Sequence, residues 1–160
     1  MELRFQVQTR INKPLNEVFD AVYNPDKLRA YFANGGASGP LNEGSTVIWR
    51  FAEFPADVPV TVKRVVPGER IVLEWEASEY DDFKPEEGEL PPSAGYNTTV
   101  EIAFEALSPE STMIRISESG WRETQKGLNS SYGNCQGWTH MMCCLKAWIE
   151  HGINLRDGSI

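Results

Sequence analysis

The stretch TQKGLNSSYGNCQGWTHMMCCLKAWIEHGI, residues 124–153, decides how the rest of the chain is read. Its apolar side chains fall at Tyr132, Cys135, Trp138, Met141, Met142, Leu145, Trp148, Ile149 and Ile153, in steps of three, one and four. That spacing returns to one side of a helix at every turn, so it predicts one long helix with a single broad apolar face. Gly152 stands where such a helix would stop. Gly133 and Gly137 need a reason, since each costs roughly 1 kcal/mol relative to alanine inside a helix. Two reasons fit. Either a sheet or ligand approaches the helix closely there, or its first half is frayed or kinked.

Such a face must be covered, and the upstream sequence supplies the cover. Residues 3–11 alternate, with Leu3, Phe5, Val7, Thr9 and Ile11 opposite Arg4, Gln6, Gln8 and Arg10. Period two is the mark of a half-buried antiparallel strand. Residues 45–51, 58–66, 69–77, 97–107 and 111–119 read the same way, separated by turn signals such as Pro67-Gly68 and Ser108-Pro109. Residues 51–58 read as a loop or a bent strand end, and Gly35, Gly36, Gly39 and Gly44 mark another loop. Between the first and second strands, Leu15, Val18, Phe19 and Val22 recur at helical spacing after Pro14, and Asn24-Pro25 divides them from a second short helix over 26–32. The expected architecture is α+β: a curved antiparallel sheet of six to seven strands wrapped round one long carboxy-terminal helix, with two short helices after strand 1. A strongly curved sheet round a single helix leaves a cavity between them, and that is where function is expected.

The order of elements now meets a set of landmarks. These are Pro14-x-x-x-Val18-Phe19-x-Ala21, Asn24-Pro25-x-x-Leu28 and Val65-Val66-Pro67-Gly68-Glu69-Arg70-Ile71-Val72-Leu73-x-Trp75. They continue with Ser119-Gly120-Trp121, Gly137-Trp138 and Leu145. Over essentially the whole chain this resembles the helix-grip fold of the START and birch-pollen-allergen (SRPBCC) superfamily. The nearest branch is the one named after the activator of the heat-shock-protein-90 ATPase, common in bacteria as single-domain proteins. Tyr31 departs from the tryptophan usual at the end of the second short helix, and residues 78–96 form a longer, more acidic segment than is typical. The resemblance implies a fold; members bind lipids, hormones, polyketides or protein partners, and a minority are enzymes.

Length and charge set the outer limits. The 160 residues are enough for one domain spanning 1–160, with a net charge of −8. So acidic a surface repels phosphate backbones and anionic membranes, which argues against nucleic acid as a partner. No apolar run approaches a bilayer span, and the first ten residues carry charges instead of a signal-peptide core, so a cytoplasmic location is expected. Cys135, Cys143 and Cys144 read as reduced thiols buried on the long helix. Residues 79–94 hold six acids and one lysine, so 78–96 reads as a mobile, solvated loop, either a plain hairpin extension or a lid or docking loop.

The chemistry is sparse. There is no GxSxG, HExxH, CxxC or GxGxxG pattern. His140 and His151 would stand roughly 16 Å apart along a helix, too far to share a metal. No metal and no cofactor is implied. What remains is polar groups at inward-facing positions, namely Glu118, Thr9 and His140, together with five tryptophans. The expected ligand-contacting set is Trp49, Phe51, Trp75, Phe104, Glu118, Trp138, Met141 and Met142, with Trp121 structural. The first expectation is therefore a binding protein, not an enzyme, for a lipid-like or aromatic hydrophobic small molecule. A cyclase- or hydrolase-type enzyme using Glu118 or His140 in the same cavity is the second. A protein-interaction module of the chaperone-regulator kind, engaging a protein partner or forming a homodimer, is the third.

Overall fold

The computed structural model describes residues 1–79, 81 and 93–160. The period-two segments become strands β1 (Arg4–Ile11), β3 (Thr46–Phe51), β4 (Phe54–Val66), β5 (Arg70–Ser78), β6 (Ser93–Ser108) and β7 (Ser111–Ser119). A two-residue strand β2 (Gly36–Ala37) lies inside the glycine-rich stretch expected to be loop. All neighbours are antiparallel, and the order is β1-β7-β6-β5-β4-β3-β2, a curved seven-stranded sheet of the helix-grip kind. In β7 the alternation holds from Thr112 onward: Thr112, Ile114, Ile116 and Glu118 are buried, while Met113, Arg115 and Ser117 are half-buried. A bulge between Val62 and Arg64 shifts the β4–β5 register and bends the strand locally.

Two sequence expectations change here. The loop expected over 51–58 shrinks to a tight turn at Ala52-Glu53, because Phe54 already pairs with Phe51. The loop expected over 78–96 has strand at both ends, with Ser78 paired to Ser93. The reading of a mobile acidic segment otherwise falls on residues 80 and 82–92, outside the described residues.

Helix α1 (Leu15–Tyr23) follows Pro14, and α2 (Pro25–Leu28) begins where Asn24 caps it, its side chain accepting from the Asp26 N–H at 3.0 Å. The second short helix is briefer than its apolar spacing predicts, and hydrogen-bonded turns carry the chain on to Ala33. The long helix α3 (Gln125–His151) starts at Thr124, whose hydroxyl accepts from the Gly127 N–H at 3.1 Å. It ends at Gly152, which takes the left-handed conformation (φ 66°) that glycine adopts without strain.

The core lies between the inner sheet face and α3. Trp138, Met141, Met142, Cys144 and Leu145 from the helix pack there with Ile71, Leu73, Ile102, Ile114 and Ile116 from the sheet. The expected apolar face was too broad at its ends, since Tyr132 and Ile153 are both 54% exposed. Of the three thiols expected to be buried, only Cys144 is; Cys143 is exposed and Cys135 half-buried. After α3 the chain turns back. Arg156 is buried, 6% exposed, and pairs with Glu53 in the β3–β4 turn. The Asn34 side chain donates to Asp157 at 3.2 Å, and Ser159 Oγ lies 2.8 Å from His140 Nε2. This segment therefore ties three separate parts of the molecule together at one end of the sheet.

Candidate functional site

Glu118 is the inward residue near the end of β7, and the sheet leaves it 1% exposed. A carboxylate there must be fully hydrogen-bonded to be tolerable. Its donors come from three elements. Trp75 of β5 donates its indole N–H to Oε2 at 2.9 Å, and Thr98 of β6 donates its hydroxyl to the same oxygen at 2.7 Å. Trp138 of α3 donates its indole N–H to Oε1 at 2.8 Å. The Asn134 amide, one turn earlier on α3, reaches Oε2 at 3.0 Å and Oε1 at 3.2 Å. Indole and amide N–H groups can only donate, so this surrounding matches an ionised carboxylate. Burial pushes the Glu118 carboxyl above its ordinary range, while the bonds from Trp75, Thr98, Trp138 and Asn134 pull it back down.

The two indoles sharing that carboxylate stack on each other, centroids 5.3 Å apart and 29° between planes. Phe32 sits 5.4 Å from Trp138 and 5.1 Å from Phe51. Their outer sides form the wall of a cavity of about 500 Å³ between the sheet and α3. Gly133, Asn134, Gly137 and Trp138 make the helix side of the cavity. A Cβ built on Gly137 would meet no heavy atom within 4 Å, so this glycine keeps space open where a side chain would fill it. Of the two reasons considered for the interior glycines, a frayed first half is not seen, since α3 runs unbroken through both, and no neighbouring element approaches Gly137 closely, which instead borders open cavity space.

The mouth is polar. Glu53, Glu76, Gln136, His140, Arg156 and Ser159 stand around it. The Arg156 guanidinium lies 5.6 Å from the Phe32 ring centre and 5.4 Å from that of Phe51. Burial and the Arg156 charge lower the His140 pKa from its ordinary value, which keeps the imidazole neutral to lower pH.

Of the residues expected to touch a ligand, Phe51, Trp75 and Trp138 line this cavity. Trp49 stands behind it, 1% exposed and edge-on to Trp75, its Nε1 without a partner among the described residues. Phe104 packs against Phe19 of α1, 5.1 Å away. Met141 and Met142 are in the core and do not reach the cavity wall. Glu118 lies behind the indoles instead of facing the cavity, whereas His140 faces it. Thr9 is half-buried on β1, and Trp121 donates to Ser130 Oγ at 3.1 Å while stacking on Phe5. Phe32, Asn134, Glu53, Glu76 and Arg156 were not foreseen. Asn134 was within reach, since it precedes Trp138 by one turn and flanks the unexplained glycines. Arg156 had no local signal, because its burial depends on a turn some hundred residues away.

Residues 12–150 match the family described as activator of Hsp90 ATPase homolog 1-like protein. The chain belongs to that family. No curated protein matches the sequence. Among solved structures, the chain is similar to protein SSP2350 from Staphylococcus saprophyticus. The two are 20% identical with a TM-score of 0.72, and the match covers 96% of each chain. It is similar to DynU16, from the dynemicin biosynthetic locus, at 19% identity and a TM-score of 0.74, covering 96% of this chain and 49% of that longer one. A third is the Aha1 dimer from Colwellia psychrerythraea, 21% identical with a TM-score of 0.67, covering 94% and 98% of the two chains. At such identities these likenesses establish the shared fold. None of the helices among the described residues is long and apolar enough to cross a membrane.

Proposed function

We propose that this protein binds a hydrophobic small molecule, aromatic or lipid-like, in the cavity between the sheet and α3. The carrying observation is the cavity itself: about 500 Å³, walled by the rings of Phe32, Phe51, Trp75 and Trp138, with Glu53, Glu76, Asn134, His140 and Arg156 among its polar lining. That volume lies within the range of roughly 300–1,000 Å³ typical of small-molecule sites, and few polar groups among many aromatic ones is their usual composition. In this reading Glu118 is a positioning residue that holds the two indoles in place. Its oxygens are already engaged by four side chains, so of the two groups expected as a base, Glu118 and His140, only the His140 imidazole faces the cavity.

The test uses the neutral dye Nile red, followed by its own emission and by quenching of the tryptophans. The wild-type protein binds it with one saturable site. Gly137→Leu extends a side chain into the open space and weakens binding by about tenfold or more, while the melting temperature stays the same or rises, because glycine is replaced by a good helix former. Absence of saturable binding by the wild type, or equal affinity in the variant, refutes the proposal.

A further inference from the structure

The charges around the cavity are unevenly distributed. At its mouth, among the described residues, stand two carboxylates, Glu53 and Glu76, and one arginine, Arg156. The arginine is committed, since it pairs with Glu53, and its Nε is shut away from solvent with no partner among the described residues. Behind the aromatic wall lies Glu118, whose four partners are all neutral donors, with no cation bonded to it among the described residues. A buried carboxylate without a counter-ion projects its field into the neighbouring low-dielectric space, where it is screened far less than at the surface.

The indoles carry this field to the cavity surface. Trp75 and Trp138 both donate their N–H to the same carboxylate, so both bonds are charge-assisted and leave the ring systems more electron-rich. The faces of electron-rich rings attract cations. The molecule already uses this chemistry in the same cavity. The Arg156 guanidinium rests over Phe32 and Phe51 with Glu53 beside it, one cation held by two rings and a carboxylate. Trp75, Trp138 and Glu76 line the same cavity beside it, the Glu76 carboxylate accepting from the Ser93 hydroxyl, and no protein cation lies over either indole among the described residues.

Building on the binding reading above, we infer that the cavity selects organic cations: a protonated or quaternary amine, or a cationic heteroaromatic ring, carried on an apolar body that lies against the paired indoles. A neutral ligand of the same shape gains the apolar contact but not the attraction of the rings and carboxylates. An anion meets Glu76 and Glu118 with Arg156 already spoken for.

The test compares N-methylquinolinium with α-methylnaphthalene, which has nearly the same outline but no charge. Binding is read from the indole N–H resonances of Trp75 and Trp138 at mildly alkaline pH and low salt. The hydrophobic effect alone favours the neutral ring. The inference expects the opposite, the cation binding about tenfold more tightly, with that preference falling several-fold at high salt and in Glu76→Gln. Glu76 is exposed, so this variant does not threaten the fold. Glu118→Gln is the second variant, used where its melting curve shows it folded, and it also reduces the preference. Equal binding, a preference for the neutral ring, or a cation preference indifferent to salt and to both variants overturns the charge inference and leaves the hydrophobic cavity standing. If neither compound moves the indole resonances, both readings fall.

Discussion

Replacing Glu118 by glutamine keeps the outline of the side chain and changes only what its two ends can accept. One oxygen becomes an NH₂ group, which cannot accept a hydrogen bond. If it takes the place of Oε1, the Trp138 N–H loses its acceptor; if it takes the place of Oε2, the Trp75 N–H does. Either way a sheltered indole donor faces another donor. An unsatisfied buried donor costs about 1–3 kcal/mol, and the remaining bonds lose their charge assistance. Removing a buried charge works in the other direction. The expected net loss is about 2 kcal/mol, which for a domain of this length lowers the melting temperature by roughly 4–8 °C. The pH dependence supplies a sharper check. Burial raises the Glu118 pKa in the folded protein above its unfolded value, so this group's contribution is fully present below the ordinary carboxyl range and is lost as pH rises through the raised pKa. Urea denaturation of wild type and Glu118→Gln across that window should show the wild-type advantage largest at acid pH and shrinking upward. A glutamine variant as stable as wild type at every pH, with unchanged indole N–H resonances, would refute the idea that this carboxylate organises the aromatic wall.

Three further predictions concern the helix, the returning segment and the mouth. A Cβ at Gly127 would sit 2.0 Å from the Arg122 carbonyl oxygen, so Gly127→Ala is expected to destabilise by about 1–3 kcal/mol, whereas Gly137→Ala stabilises by up to about 1 kcal/mol. Parallel urea titrations decide whether the two substitutions have opposite signs. Arg156→Met removes the Glu53 pair and the cation over two rings; the cost is about 2 kcal/mol, below the ~3–5 for a fully buried pair, because Glu53 keeps some contact with water. Hydrogen exchange should then show faster exchange of the backbone N–H groups over 153–160, and unchanged protection would argue against Arg156 as the tether. His140 titrates below its ordinary value, so its contribution is present above the unfolded imidazole pKa and is lost as pH falls through the lower folded value. An NMR titration of the ring should give a pKa under 6.5, and a value at or above 6.5 would contradict the influence of burial and of the Arg156 charge.

The sequence shows some of these arrangements and hides others for a common reason. The strands were legible because each is its own evidence: Thr112, Ile114, Ile116 and Glu118 alternate within nine residues, and no distant partner is needed to see which side is inward. The short helices and the stop at Gly152 were legible for the same reason, being set by Pro14, Asn24-Pro25 and the left-handed conformation open to glycine. Glu118 itself could be seen as a polar group on an apolar side. What makes it tolerable could not, because its donors lie 43 residues away at Trp75, 20 at both Thr98 and Trp138, and 16 at Asn134. The strand pairing β5-β6-β7 and the crossing of α3 must exist before those four groups meet. Arg156 is the extreme case, since nothing near it in sequence predicts a buried guanidinium.

The same contrast explains why this interior stays partly hollow. Apolar side chains facing a gap ordinarily rotate to close it, because an unfilled void forfeits dispersion contacts on one side. Trp75 and Trp138 cannot do so freely: each indole is held by its N–H to a carboxylate fixed within β7, and the two rings brace each other by stacking. On the helix, Gly133 and Gly137 offer no side chain to swing into the space. The cavity is therefore a consequence of one buried charge and two absent side chains. A side chain at Gly137 should fill it from the helix, and a smaller residue at Glu118 should shrink it by another route, freeing the indoles to collapse inward.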